Sequence, residues 1–373
     1  MSDVEIALLV STYQRPAHLR RALQSIALQQ GVEGKFEVVV TDDGSIDETS
    51  RVVDEFARGV PFHVGFTTHP HTTFRLARCR NEGVRASSAP YLLFLDGDCV
   101  LPPDHVRMHL ARRRNGLVMA GDCCRLERDA SEQVTSDAIR AGQFEHLSPP
   151  GELRRIKKLD RSSRFYRLIR HPTKPKLIGN NVGIWRADYE RVNGYDENFE
   201  GWGCEDDDLR WRLRRAGIAI ESILRWTHTY HLWHANDSTA PATWKQGANV
   251  GYLLRKGRLT RCAQGLVQRA FSDLRVQVIG QPERPLALEP ALARCMAAPR
   301  AGQAEVEILF LPGRGRFSGR AECNLAVLLD AQAASSRAAQ AADLVIHWGP
   351  PLAARLSAGP LYERCAVALG AAA

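Results

Sequence analysis

At 373 residues the chain is long enough for one large core and a smaller second domain, and its 44% hydrophobic and 25% charged residues exclude global disorder. The formal net charge of +8 favours anionic partners, but the excess is local: residues 151–176 hold ten Lys and Arg against two acids, which leaves the rest neutral. No apolar run reaches the roughly 18–20 residues of a membrane span, and the N-terminus starts acidic rather than as a signal peptide. Nine Cys without paired C-x-x-C spacing point to a reducing compartment, so the expected location is the cytoplasm.

The run Ile6–Val10 is short, continuous and apolar, as a strand covered on both faces should be. Pro16 and the spacing of Leu19, Leu23 and Ile26 predict a helix behind it. The unit repeats: Phe36–Val40 reads as a strand, and Ser45 with Glu48 as a capping box for a helix ending near Gly59. A strand at Phe62–Thr67, a helix at Phe74–Ala86 and a strand at Tyr91–Leu95 follow, then a strand at Val118–Ala120. Such alternation predicts a mainly parallel sheet flanked by helices, with ligands bound beyond the carboxyl ends of its strands. Asp42, Asp43, Asp96 and Asp98 fall at those ends.

The regular pattern breaks over Arg125–Lys176 and resumes with Gly179–Gly183, a Trp202–Gly217 loop and helix, a strand at Ile218–Ile223 and a His-rich stretch ending at His234. Past Arg255 the composition turns Ala- and Arg-rich. A strand at Val306–Leu311, a helix over Ala321–Ala339 and a strand at Leu344–Trp348 predict a small appended α/β unit.

Two constellations carry chemistry. Asp96-Gly97-Asp98 closes the strongest apolar strand, and carboxylates at i and i+2 point to one side. They can share a divalent cation that also binds a diphosphate, although Asp-Gly-Asp is equally good turn chemistry. Glu205, Asp206, Asp207 and Asp208 crowd the start of an amphipathic helix. The helix dipole accounts for one or two of them. Four together raise a carboxylate pKa and suit it to take a proton from a hydroxyl.

Residues 5–100 resemble the donor half of family 2 glycosyltransferases through Val10-Ser-Thr-Tyr-Gln-Arg-Pro16, Val40-Thr-Asp-Asp-Gly-Ser45, Ala77-Arg-Cys-Arg-Asn81 and Leu95-Asp-Gly-Asp98. Residues 179–234 resemble the catalytic region of β-1,4-galactosyltransferases and bacterial chondroitin-type polymerases through Gly179-Asn-Asn181, Trp202-Gly-Cys-Glu-Asp-Asp207 and His231-Leu-Trp-His234. The resemblance implies a glycosyltransferase A-type fold and inverting, metal-dependent transfer from a UDP-sugar to an acceptor hydroxyl in cell-surface polysaccharide or glycolipid synthesis. It implies residues 1–255 as the catalytic domain, with a nucleotide-binding half at 1–124, a basic irregular insert at 125–178 and an acceptor half at 179–255. Residues 256–373 are then an appendage of unassigned role.

By the same resemblance Asp43 would hold the uracil, with Thr12, Arg15, Arg80 and Asp96 around the donor. Asp98 and His234, with His231 beside them, would bind Mn²⁺ or Mg²⁺. Asp206 would be the general base, and Glu205 and Asp207 would orient sugars. Cys204 stands where the family usually has Gly. His228 is not expected to be a ligand.

Two rival readings remain. A sugar nucleotidyltransferase needs a Gly-rich loop after its first strand, and Ser11–Pro16 has no glycine. A non-catalytic nucleotide-sugar or polysaccharide binder fits the basic charge, but the acidic pockets would repel phosphate unless a metal intervened. Nucleic acid is not an expected partner, because interleaved aromatics are missing. Residues 154–170 mix eight basic side chains with aliphatic and aromatic ones. Two readings stay open for them: a contact with an anionic membrane at the inner face of the cell, where a lipid-linked or glycan acceptor would be met, or a solvated loop or basic rim that attracts an anionic glycan.

Overall fold

The computed structural model describes residues 4–235, 240–255, 257–269, 273–280, 303–313 and 315–347. The chain divides into two compact units, Met1–Leu253 and Leu254–Ala373.

The first unit begins as strand–helix alternation: β1 (Ile6–Thr12), α1 (Pro16–Ala27), β2 (Phe36–Asp42), α2 (Thr49–Arg58), β3 (Val64–Thr68), α3 (Leu76–Ala86) and β4 (Tyr91–Asp96). β5 (Cys99–Val100), α4 (His105–Arg112), β6 (Leu117–Ala120) and β7 (Cys123–Arg125) follow. Next come α5 (Arg128–Gln133), α6 (Ser136–Arg140) and α7 (Pro150–Leu168). The unit ends with β8 (Asn181–Trp185), α8 (Arg186–Arg191), α9 (Glu205–Arg215), β9 (Ala219–Ser222), β10 (Thr229–His231) and α10 (Val250–Leu253). Seven strands form one sheet in the order β3-β2-β1-β4-β8-β6-β9. Only β8 runs against its neighbours. This is the expected mainly parallel sheet flanked by helices, and every residue of β1 and β2 is buried.

Register decides where the acids emerge. Thr12 lies opposite Asp42 and Ser11 opposite Asp96, so the carboxyl ends of three parallel strands come out level. A second sheet, β5-β10-β7, sets His231 of β10 opposite Cys99, the neighbour of Asp98. The small sheet therefore folds the His-rich segment back onto the end of β4.

Three expectations change. Ser45 makes no capping box: its Oγ donates to Asp42 Oδ1 at 2.5 Å, and α2 starts only at Thr49, whose N–H donates to Asp47 Oδ1 at 2.9 Å. The insert at 125–178 is not irregular, since α7 alone takes 19 of its residues. That helix buries only Ile156 and Asp160, so it lacks the broad apolar stripe by which a helix is read from sequence. In the second unit the predicted helix over Ala321–Ala339 is β13 (Cys323–Leu328) and a short helix at Arg337–Ala341. β13 lies in a parallel sheet, β11-β12-β13-β14, with β11 (Val276–Gly280), β12 (Val306–Leu311) and β14 (Leu344–His347). Trp348 and the Ala-rich tail lie outside the described residues.

Candidate active site

At the carboxyl edge of the sheet a cleft is lined by Thr12, Arg15, Asp43, Asp96, Asp98 and, across from them, His231 and His234. Gly97 makes the turn between the two aspartates possible. Its N–H donates to Ser11 O at 2.7 Å, and a Cβ there would come within 3.0 Å of that oxygen and of Thr12. The chain thus crosses tightly over the end of β1 and delivers Asp98 to the cleft.

Asp98 is 7% exposed. His234 Nε2 stands 3.1 Å from its Oδ2, His231 Nε2 3.6 Å from its Oδ1, and Arg15 Nη1 3.4 Å from Oδ2. Burial would raise the Asp98 pKa, but the His234 hydrogen bond and the charges of His231, His234 and Arg15 hold it below the ordinary value. The contact with Asp98 raises His234, whereas burial lowers His231. The donor atoms of Asp98, His231 and His234 lie within 4.8 Å of one another, so a carboxylate and two imidazoles fit the first coordination sphere of a divalent ion.

Asp43 sits deeper. The Arg75 N–H donates to its Oδ2 at 3.1 Å, His69 Nε2 lies 3.4 Å from Oδ1, and Cys79 Sγ lies 3.8 Å from Oδ1. Burial raises the Asp43 pKa. Nothing in the sequence spacing pointed to His69 or Cys79 as its neighbours.

Arg80 connects this cleft to the acids of α9. Its buried guanidinium lies 3.6 Å from Asp96 Oδ1, 3.5 Å from Glu205 Oε1 and 3.0 Å from Asp206 Oδ1. Asp206 also accepts the Tyr195 hydroxyl at 2.8 Å and the Gly179 N–H at 2.8 Å. A Cβ on residue 179 would fall 2.2 Å from the Arg80 guanidinium carbon, which explains the glycine. Burial, followed by the neighbouring Asp206 carboxylate, pushes Glu205 up to about 7. Burial also raises Asp96 against the pull of Arg80.

The four acids do different work. Asp207 pairs with Arg210 at 2.7 Å along its own helix, and Asp208 forms a fully buried pair with Arg212 at 2.6 Å. Glu205 and Asp206 alone join the Arg80 network. Sequence reasoning missed Tyr195, whose ring also lies under Arg80 at 4.9 Å. His228 stays out of the metal-ligating group.

Comparison with known proteins finds two matching segments in this chain. Residues 7–174 match the model of glycosyl transferase family 2, and residues 162–235 match the N-terminal domain of galactosyltransferase. A validoxylamine A glucosyltransferase from Streptomyces hygroscopicus subsp. limoneus is 30% identical over 233 residues, 58% of this chain and 49% of that protein. The chondroitin synthase of Escherichia coli is 25% identical over 234 residues, 58% of this chain and 33% of that one. The chain thus spans about half or less of the length of these curated relatives. Among solved structures, S. aureus TarS 1–349 in complex with UDP-GlcNAc is 15% identical and covers 64% of this chain and 62% of that one, with a TM-score of 0.46. The strand-end acids, the His pair and the α9 acids all fall inside the two matched segments, so residues 7–174 are similar to glycosyl transferase family 2 and residues 162–235 to the galactosyltransferase N-terminal domain.

Proposed function

We propose that this protein is an inverting glycosyltransferase that moves a sugar from a UDP-sugar to an acceptor hydroxyl in cell-surface polysaccharide or glycolipid synthesis. The observation that carries the reading is the convergence of Asp98, His231 and His234 in a cleft whose floor connects through Asp96 and Arg80 to Asp206. Asp98, His234 and His231 would hold a Mn²⁺ or Mg²⁺ ion, which when bound offsets the negative charge of a departing diphosphate. Thr12, Arg15 and Asp43, which line the same cleft, would hold the nucleotide. Asp206 takes the acceptor proton, oriented by Arg80, Tyr195 and the Gly179 N–H. Glu205 and Asp207, its sequence neighbours in the first turn of α9, would orient the two sugars. Such single displacement inverts the anomeric centre. A screen of nucleotide sugars for Mn²⁺-dependent UDP release tests the assignment. Release from one UDP-sugar, abolished by chelator, is expected, and no release from any of them would defeat the proposal.

The proposed location is the cytoplasmic face of the membrane. No helix among the described residues is long and apolar enough to cross a bilayer. The end of α7 and the residue after it instead expose Phe165 (57%), Leu168 (81%) and Ile169 (50%) beside Arg161, and beside Arg164 and Arg167, which pair with Asp160 and Glu221. Each cation near an anionic leaflet is worth about 1 kcal/mol, and exposed apolar side chains can enter the interface. The protein should float with anionic vesicles and not with neutral ones. Failure to float with anionic vesicles at low salt would favour a soluble acceptor.

A further inference from the structure

A second cleft opens in the same unit between α7 and the segment that leads into β10. Lys157, Arg161 and Arg164 line it from the helix, and Arg225, Trp226 and His228 from the other side. The acid among its lining residues, Asp160, is buried and already paired with Arg164 at 3.1 Å. Lys157, Arg161 and Arg225 have no ion-pair partner among the described residues. His228 Nε2 is buried without a hydrogen-bond partner.

Cations three and four residues apart on a helix repel one another unless something neutralises them. Here the cations are exposed but line one cleft, so the uncompensated charge is gathered around one place. A carboxylate would be satisfied by a single guanidinium fork. Three unpaired cations and an unused imidazole nitrogen match an anion of higher charge with more acceptor oxygens, which is the chemistry of a phosphate ester.

We propose that this cleft binds a phosphate group carried by the acceptor. The assignment of that phosphate to the acceptor deepens the glycosyltransferase reading and rests on it; the binding of phosphate does not. From His228 the chain runs directly into β10, and three residues later it reaches His231 of the metal-ligating cluster. At the rise of a strand that is about 10 Å. His228 packs on Tyr230 and His231 on His234, and side chains three residues apart on a strand point to opposite faces. A phosphate held in the cleft therefore lies on the far side of β10 from the metal-ligating cluster and acts as a remote handle rather than as a reactant.

Calorimetric titration of the full chain with pyrophosphate, in chelator and without donor, tests the site. The wild type should bind saturably. Arg161→Gln with Arg225→Gln should weaken binding about tenfold or more at an unchanged melting temperature. Lys158→Gln, on α7 but outside the cleft lining, should leave it intact. Equal binding by the double variant, or equal weakening by Lys158→Gln, would overturn the site in favour of diffuse helix charge. Vesicles containing phosphatidate, set against phosphatidylserine vesicles of matched charge, separate the sources. Displacement of pyrophosphate by phosphatidate alone assigns a lipid-borne phosphate, and no displacement by either assigns a soluble phosphorylated acceptor. Wild-type UDP-sugar hydrolysis is measured separately. Hydrolysis without pyrophosphate binding rejects the cleft, while binding without hydrolysis of any UDP-sugar rejects the glycosyltransferase reading.

Discussion

The first turn of α9 and the end of β4 both gather carboxylates, yet Asp98 and Glu205 are pushed in opposite directions, while Asp96 rises with Glu205. Asp98 faces two imidazoles and a guanidinium, which keep it ionised. Glu205 is buried beside Asp206 and is driven toward its neutral form. Under the proposed function the two sets divide the work: Asp98 would bind the cation and the α9 acids would serve proton transfer, a division made by neighbours rather than by residue type. Arg80 lies between them and keeps the two sets within one network.

The largest effect expected from this division is on turnover. Asp206→Asn should keep metal-dependent donor binding while lowering the transfer rate by on the order of 10²–10⁴. Because Asp206 accepts three hydrogen bonds, a purely positional role must be separated from a chemical one. Tyr195→Phe removes one of those donors and leaves the carboxylate, so its loss should stay within about tenfold, the worth of one hydrogen bond. Steady-state rates on the two variants check this. Equal losses would make Asp206 a structural anchor and dissolve the contrast with Asp98.

Next in size is metal affinity. Even neighbours that merely orient a ligand change metal affinity by roughly 10–100-fold, so losing a ligand should cost at least as much. Asp98→Ala and His234→Ala should each weaken Mn²⁺-dependent UDP binding by that factor, read by calorimetry with and without the ion. Asp207→Asn, whose carboxylate is tied to Arg210, should leave it unchanged. Loss in the Asp207 variant would mean that the α9 acids also hold the cation.

How much of this was legible beforehand follows from how each part is held. β1, β2 and β4 announce themselves because strands buried on both faces need continuous apolar runs. The acids at their ends come with them. His234 reaches Asp98 only through the small sheet β5-β10-β7, whose strands are two or three residues long and leave no periodic trace. The family resemblance, not spacing, brought that pair together. Tyr195 gave no signal, since its role depends on where its hydroxyl ends relative to Asp206. α7 hid for the opposite reason: it is long but touches the core at two buried residues.

The opposed pKa shifts also make stability depend on pH in a way that one substitution isolates. Glu205 is raised in the folded protein from an ordinary 4.5 to about 7. Its stabilising contribution is then fully present below the ordinary value and lost as pH rises through about 7. Wild type should therefore lose on the order of 2 kcal/mol relative to Glu205→Gln between pH 5 and pH 8. Urea unfolding of both proteins at the two pH values measures the difference. A constant gap would show that burial does not hold Glu205 neutral, and the contrast with Asp98 would shrink to geometry alone.

The smallest effect expected lies at the residue that launches the acid cluster. Cys204 precedes Glu205 at φ +78°, a left-handed conformation that costs a residue with a Cβ roughly 1–2 kcal/mol relative to glycine. Gly201 and Gly203 in the same loop adopt φ +78° and +87° without that cost. The thiol is half-buried, and burial raises its pKa, so it stays protonated and offers no charge to the site. Cys204→Gly relieves the strain, but it also frees the unfolded chain, which loses more entropy on folding. The balance should be a stabilisation of about 0.5–1 kcal/mol, with transfer rates within a factor of two of wild type. Thermal unfolding and a rate assay decide it. A destabilised Cys204→Gly variant would mean that the sulfur packs usefully where it sits, and that the turn aiming Glu205 and Asp206 depends on this side chain rather than tolerating it.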